Sequence, residues 1–118
     1  MKREIKFRAW DTVYKNMNHE HFVIYPNGKV EYPESGWDLQ GYFDKTSILM
    51  QYTGLKDKNG VEIYEGDVVK HDFEGEYGPL GEHIDTVDYY GCAFYPICEK
   101  PGSEFEVIGN IYENPELI

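Results

Sequence analysis

Short runs of alternating apolar and polar residues, separated by Gly, Pro, Asn and Asp, follow one another along the whole chain. Two of the segments between these runs contain an Asn-Gly pair, at Asn27-Gly28 and Asn59-Gly60. An Asn-Gly pair between two such runs indicates a β-hairpin, because both residues tolerate the positive φ that the turn requires. The pattern therefore predicts a mainly β fold of short strands, typical of a barrel or a sandwich, with little helix.

The predicted strands are distributed along the whole chain. They are residues 4–11, 21–25, 29–32, 47–52, 61–64, 68–73, 83–90, 92–97 and 104–112. Residues 74–82 hold three Gly and one Pro, which predicts a mobile loop, and residues 37–45 fit either a short helix or a loop. Asn114 followed by Pro115 is typical of a helix start, so a final helical turn is predicted.

The length of 118 residues suits one domain. No apolar run approaches the ~20 residues of a membrane-spanning helix, and the first residues lack the apolar stretch of a signal peptide. These features predict a cytoplasmic protein without a membrane contact. Cys92 and Cys98 are too few for a disulfide scaffold, and their spacing is not a usual zinc spacing. They are predicted to be reduced and buried as small apolar residues.

Charge is distributed unevenly along the chain, whose net charge is −11. Residues 1–61 hold nine Lys/Arg and eight Asp/Glu, whereas residues 62–118 hold two and fourteen. The second half is therefore strongly anionic and should repel nucleic acid and anionic lipid. Three interpretations stay open: a solvated surface that keeps the protein soluble, a surface for a basic partner, or a mimic of nucleic acid.

The first predicted strand carries a basic face. Alternation places Ile5, Phe7 and Ala9 on a buried side of the strand. The candidate binding face on the other side consists of Arg3, Lys6, Arg8 and Trp10. A basic face with one aromatic ring is the minimum for a nucleic-acid site. The anionic second half opposes that role and predicts instead that these cations pair with acidic residues, within the molecule or across a homo-oligomer interface.

Few residues point to catalysis. His19 and His21 share a strand face and, with Glu20 or Asp72, could hold a metal ion, which is the basis for a metal-dependent hydrolase hypothesis. His71-Asp72 and His83-x-Asp85 are candidate histidine–carboxylate pairs, although no Ser or Cys nucleophile motif stands near them. No phosphate-binding glycine loop is present. The sequence therefore predicts that the protein is not an enzyme and has no catalytic residues, metal or cofactor.

Three blocks go beyond a generic β pattern: REIKFRAWD (3–11), MQYTGLKDKNGVEIYEGDVVK (50–70) and EVIGNIYENPEL (106–117). In this order they resemble the YopX family of bacteriophage and prophage proteins. The resemblance implies a small SH3-like barrel elaborated with N-terminal strands and a hairpin, in the cytoplasm of a bacterial host. It implies a single domain over residues 1–118, with N-terminal strands in 1–46, a barrel core in about 47–112 and a tail in 113–118. It implies no reaction, ligand or catalytic residue.

Within these blocks, Gly54, Gly60 and Gly66 are predicted to be turn glycines. Asn110 is predicted to bond the backbone of a neighbouring loop.

The leading functional hypothesis is an acidic, non-enzymatic phage accessory protein that acts through protein–protein contact. It combines the missing catalytic constellation, the anionic second half and the wealth of tyrosine, a residue favoured in binding surfaces. The opposite charges of the two halves also favour a homo-oligomer. The alternatives are nucleic-acid binding through the basic first strand and, behind it, the metal-dependent hydrolase. The sequence does not name the protein partner.

Overall fold

The computed structural model describes residues 4–20, 22–28, 30–31, 47–75 and 78–118. The strands in these ranges are β1 (Phe7–Asp11), β2 (Asn16–Asn18), β3 (Val23–Ile24), β4 (Val30–Glu31), β5 (Ser47–Lys56), β6 (Glu62–Tyr64), β7 (Asp67–Gly75), β8 (Gly78–Thr86), β9 (Asp88–Tyr90), β10 (Ala93–Tyr95) and β11 (Phe105–Asn110). Helix in the same ranges is limited to the 3-10 turns Ile97–Glu99, Gly102–Glu104 and Pro115–Leu117. The mainly β prediction is confirmed, and the SH3-like barrel stays a prediction.

The chain divides into two compact units, and the boundary falls within β5. The described residues between 6 and 51 form the N-terminal unit, and those between 52 and 118, together with Glu4 and Ile5, form the C-terminal unit. The first half of β5 pairs with β1, and its second half pairs with β6. The sequence placed its internal division earlier, between residues 46 and 47. The single domain predicted over residues 1–118 stays a prediction.

In the N-terminal unit, β1 lies between β2 and β5, antiparallel to both. The β3–β4 hairpin turns at Asn27-Gly28, and the Gly28 N–H donates to the Tyr25 carbonyl at 2.8 Å. The hairpin predicted there is confirmed. Ala9 and Val30 are buried at the centre of this unit, with half-buried Phe22 and Leu49 packed against them.

In the C-terminal unit, β7 is the middle strand of the sheet β11-β7-β8. The buried core of this unit consists of Ile63, Val69, Val87, Ile97 and Phe105. Half-buried Phe94 and Val107 pack against that core. The short strands β9 and β10 follow β8 in the chain and form a separate two-stranded sheet.

The mobile loop predicted for residues 74–82 is wrong. In the described residues, β7 and β8 continue through this segment as paired strands, as far as the pair Gly75 and Gly78. The register shifts between Phe73 and Glu74, and Gly78 and Gly81 have positive φ values. The glycines therefore allow an irregular ladder instead of ending it, because pairing satisfies backbone groups that a loop would leave to water.

Other local predictions had mixed outcomes. Cys92 and Cys98 are free but exposed, so their predicted burial is wrong. Gly60 and Gly66 lie in turns as predicted, whereas Gly54 lies inside β5 at a register shift. The predicted final helical turn is confirmed as a 3-10 turn. No helix in the described part of the chain has the length and hydrophobicity needed to cross a bilayer.

Candidate functional site

Asp57 ties the turn after β5 to the distant strand β11. Its Oδ1 accepts hydrogen bonds from the backbone N–H groups of Asn59 (2.8 Å) and Val61 (2.9 Å). Its Oδ2 accepts a third bond from the Val107 N–H, also at 2.9 Å. Because the side chain is buried, these bonds satisfy donors that would otherwise lose water without a replacement. The turn between β5 and β6 is thus built around a structural carboxylate.

Asp67 is the buried carboxylate of the tight turn between β6 and β7. It is 2% exposed, and its Oδ2 accepts a hydrogen bond from the Tyr64 N–H at 2.7 Å. Gly66 in this turn has a φ of 88°, which a residue with a side chain rarely adopts. The Gly66 N–H donates to the Val87 carbonyl, and the Ile111 N–H donates to the Gly66 carbonyl. The turn therefore joins three segments of the C-terminal unit.

Asn110 closes the end of β11, as the sequence predicted. Its Oδ1 accepts hydrogen bonds from the N–H groups of Tyr112 (3.0 Å) and Glu113 (2.8 Å). Its own N–H donates to Asn114 Oδ1 at 3.2 Å. The Asn114 side chain makes this bond and does not cap the 3-10 turn that follows. We refer to Asp57, Asp67 and Asn110 as the turn anchors.

A cluster of two histidines and one aspartate lies on the β7–β8 pair. His71 Nε2 lies 2.8 Å from Asp85 Oδ2, and His83 Nε2 lies 3.5 Å from Asp85 Oδ1. The buried His71 ring also packs on Phe105, with ring centroids 4.8 Å apart. Of the two pairs predicted, His83 with Asp85 is formed. His71 meets Asp85 and not Asp72, because adjacent strand residues point to opposite faces.

The chemistry open to this cluster is limited by burial. His71 Nδ1 is buried and makes no hydrogen bond to any described residue. Its other ring nitrogen is engaged with Asp85. The Nδ1 atom is therefore enclosed and the Nε2 atom is engaged by a carboxylate, while the residue as a whole lines the pocket described next. The arrangement fits a pair that orients a core histidine better than a general base.

A pocket of about 260 Å³ lies beside this cluster and is lined mainly by charged residues. Lys58 Nζ and Lys70 Nζ lie 3.6 and 3.7 Å from Glu106 Oε1. Lys100 Nζ donates a hydrogen bond to the Asp72 carbonyl at 2.6 Å. Each of these lysines thus already has an anionic or polar partner. The pocket is also smaller than the roughly 300–1,000 Å³ usual for small-molecule sites.

The β9–β10 hairpin presents a different kind of surface. Gly91 and Cys92 form its turn with φ values of 59° and 67°, as a type I′ turn requires. Tyr89 lies opposite Phe94, with ring centroids 5.2 Å apart, and Phe94 packs against the core. Phe94 is therefore held against the core, whereas the Tyr89 ring that contacts it remains 56% exposed. The sequence predicted a hairpin at Gly91, and that prediction is confirmed.

The other face, here called the outer hairpin face, carries the alternate residues Asp88, Tyr90, Ala93 and Tyr95. Tyr90 is 78% exposed and Tyr95 is 40% exposed. The Glu99 carboxylate, partial burial and the Asp85 carboxylate raise the pKa of Tyr95, in that order of importance, with a smaller contribution from Cys98. The electrostatic potential at this ring is therefore negative, which disfavours a phenolate and favours a cation.

The candidate face predicted on the first strand is differently placed. Arg3 lies outside the described residues, and Lys6 is half-buried. Arg8 and Trp10 are only 5% and 7% exposed. The open basic face that alternation predicted is therefore corrected at these two positions, because alternate residues on both faces of β1 are buried: Arg8 and Trp10 on one face, Ala9 and Asp11 on the other. A binding role for the four residues stays a prediction.

The structure describes only part of the group proposed for the metal-dependent alternative. His19 is exposed, and His21 lies outside the described residues. Within the described ranges, no three His, Cys, Asp or Glu side chains form a group that could hold a metal ion. The tyrosines of the hairpin were not singled out from the sequence. Their signal was the alternation of Tyr90 and Tyr95 across a two-residue turn, beside Asp88 and Glu99.

Comparison with known proteins identifies a family and a similar solved structure. The family model described as YopX protein matches residues 6–118. The chain is similar to protein EF1440 from Enterococcus faecalis, whose crystal structure is known. The two are 29% identical with a TM-score of 0.62, and the alignment covers 98% of this chain and 99% of the other. No curated protein is similar to the chain.

Proposed function

The chain belongs to the YopX family, and from this premise we propose that it is a phage-associated accessory protein that binds another protein and does not catalyse a reaction. The outer hairpin face is the observation that carries the proposal. Its tyrosines are exposed, while Phe94 on the opposite face of the hairpin packs against the core. Tyrosine offers a large contact area and a hydroxyl at a low entropy cost, which is why it is frequent in binding surfaces.

The remaining polar features of the C-terminal unit are better explained by folding. The turn anchors use their side chains to accept backbone N–H groups, and the His71–Asp85 pair is largely buried. Tyr90 and Tyr95 on the outer hairpin face have no comparable role in holding the backbone. The burial of Arg8 and Trp10 leaves the nucleic-acid alternative with less surface to use. Protein binding by the hairpin is therefore the proposal supported best.

Affinity capture from a bacterial lysate tests the proposal with three baits. The baits are the wild-type chain, the Tyr90→Ala/Tyr95→Ala variant and a Tyr14→Ala control, which removes another exposed tyrosine from the N-terminal unit. We expect a protein that the wild type and the control capture and the hairpin variant loses. Circular dichroism establishes that all three baits are folded. A set of captured proteins that is the same for all three baits contradicts the proposal.

A further inference from the structure

We infer that the outer hairpin face recognises an arginine-bearing basic segment of a partner protein, an inference that rests on the proposed function. In the β9–β10 register, Tyr90 lies opposite Ala93 and Tyr95 lies opposite Asp88. Tyr90 and Tyr95 are therefore diagonal neighbours on one face, a spacing of about 7–8 Å that long side chains can bridge. Ala93 is the small residue beside them, so one cation can approach both rings.

The carboxylates that raise the Tyr95 pKa, Glu99 and Asp85, are both acidic, and the surrounding sequence is acidic as well. No lysine or arginine occurs between Lys70 and Lys100, whereas seven aspartates and glutamates do. Asp88 is exposed directly opposite Tyr95, and its Oδ1 accepts only a local bond from the Tyr89 N–H at 3.0 Å. Glu99 is exposed as well, and it is the main cause of the raised Tyr95 pKa. The surface is therefore complementary to a cation.

The chemistry of the face favours arginine over lysine. A guanidinium group is planar, stacks on tyrosine rings and donates paired hydrogen bonds to a carboxylate. The outer hairpin face offers both kinds of partner side by side, in two tyrosines and the carboxylate of Asp88. An ammonium group is more strongly hydrated and donates from a point, so it gains less from the same arrangement.

Fluorescence anisotropy with labelled peptides tests this inference on the full chain. The probes are a Gly-Arg repeat peptide, the matching Gly-Lys peptide and a Gly-Glu peptide, each titrated at low and moderate salt. We expect the arginine peptide to bind more tightly than the lysine peptide, and the glutamate peptide not to bind. Tyr90→Ala/Tyr95→Ala should weaken arginine binding about tenfold, whereas Tyr90→Phe/Tyr95→Phe should retain most of it.

Matched charge variants separate recognition from general attraction. Asp88→Asn/Glu99→Gln and Glu104→Gln/Glu116→Gln remove the same charge from exposed positions of the C-terminal unit. The first pair should weaken arginine binding severalfold and the second much less, since exposed charges far from a ligand are screened. Equal losses in both pairs, or equal binding of arginine and lysine peptides, overturn the inference. If lysate capture depends on the hairpin but no arginine peptide binds, the inference fails and the proposed function stands.

Discussion

Acidic residues in the C-terminal unit serve two opposite purposes. The carboxylates of Asp57 and Asp67 are buried and accept backbone N–H groups, within their own turns and, for Asp57, from the distant strand β11. Those of Asp88 and Glu99 are exposed: Asp88 lies opposite Tyr95 in the hairpin, and Glu99 raises the pKa of that tyrosine. The difference teaches that a high content of acidic residues does not by itself reveal the role of any one carboxylate. Whether a carboxylate holds the fold or faces a partner depends on the donors that the tertiary structure brings to it.

Removing a turn anchor should have the largest effect. Asp57→Ala leaves three backbone N–H groups without their acceptor, and each unsatisfied buried donor costs about 1–3 kcal/mol. We expect the free energy of unfolding to fall by about 3 kcal/mol, measured by urea denaturation with circular dichroism. Asp88→Ala is the matched control and should change it by less than about 0.5 kcal/mol. Equal losses of unfolding free energy in the two variants would contradict the distinction between buried aspartates that stabilise the fold and exposed ones that do not.

Gly109→Ala probes the packing at the Asn110 anchor. A Cβ at this position would lie 2.6 Å from Asn114 Oδ1 and 2.8 Å from Leu117 Cδ1. Overpacking of this kind should lower the free energy of unfolding by about 1–3 kcal/mol. In an Asn114→Ala background the cost should be smaller, because one of the two obstacles is gone. If Gly109→Ala lowers the free energy of unfolding equally in both backgrounds, Asn114 is not the residue that restricts the space beside Gly109.

The two faces of the hairpin should respond differently to alanine. Tyr89→Ala removes the edge-to-face contact with Phe94, and we expect a loss of about 1 kcal/mol in the free energy of unfolding. Tyr90→Ala removes an exposed ring and should cost less than about 0.5 kcal/mol. Thermal unfolding of the two variants measures this contrast. A larger loss for Tyr90→Ala would mean that the outer face supports the fold.

The smallest effect concerns the ionisation of Tyr95. Glu99→Gln should lower the raised pKa of Tyr95 towards its ordinary value, because it removes the main repulsion of the phenolate. In the native protein the folded-state pKa lies above that of the unfolded chain. The folded state therefore holds its proton longer, and this group's contribution to stability falls as the pH rises above the ordinary tyrosine range.

Ultraviolet difference titration against Tyr95→Phe isolates this one tyrosine. Glu116→Gln, which removes a carboxylate from the C-terminal turn, is the control and should leave the Tyr95 titration where it is. A Tyr95 pKa that does not respond to Glu99→Gln would contradict the negative potential that we assign to the outer hairpin face.

Much of the local structure could be predicted from the sequence, because turns depend on a few adjacent residues. The hairpins at Asn27-Gly28 and Gly91 and the backbone bonds of Asn110 were all predicted. The continuation of β7 into β8 was not predicted, since the glycines there indicate a loop unless a partner strand is present. The burial of Arg8 was missed because it depends on which segments pack over that face of β1, and alternation within one strand does not encode them.

The sequence by itself determined the mainly β character, the turns and the anionic second half, because alternation, Asn-Gly pairs and charge are local properties of the chain. The tertiary structure decided which polar residues work together. It brought Asp57 to Val107, fifty positions away, and His71 to Asp85 across a strand pair. It also directed Tyr90 and Tyr95 outward while Phe94 packs inward. The physical reason is that strand register and burial are set by contacts between distant segments, which no local pattern encodes.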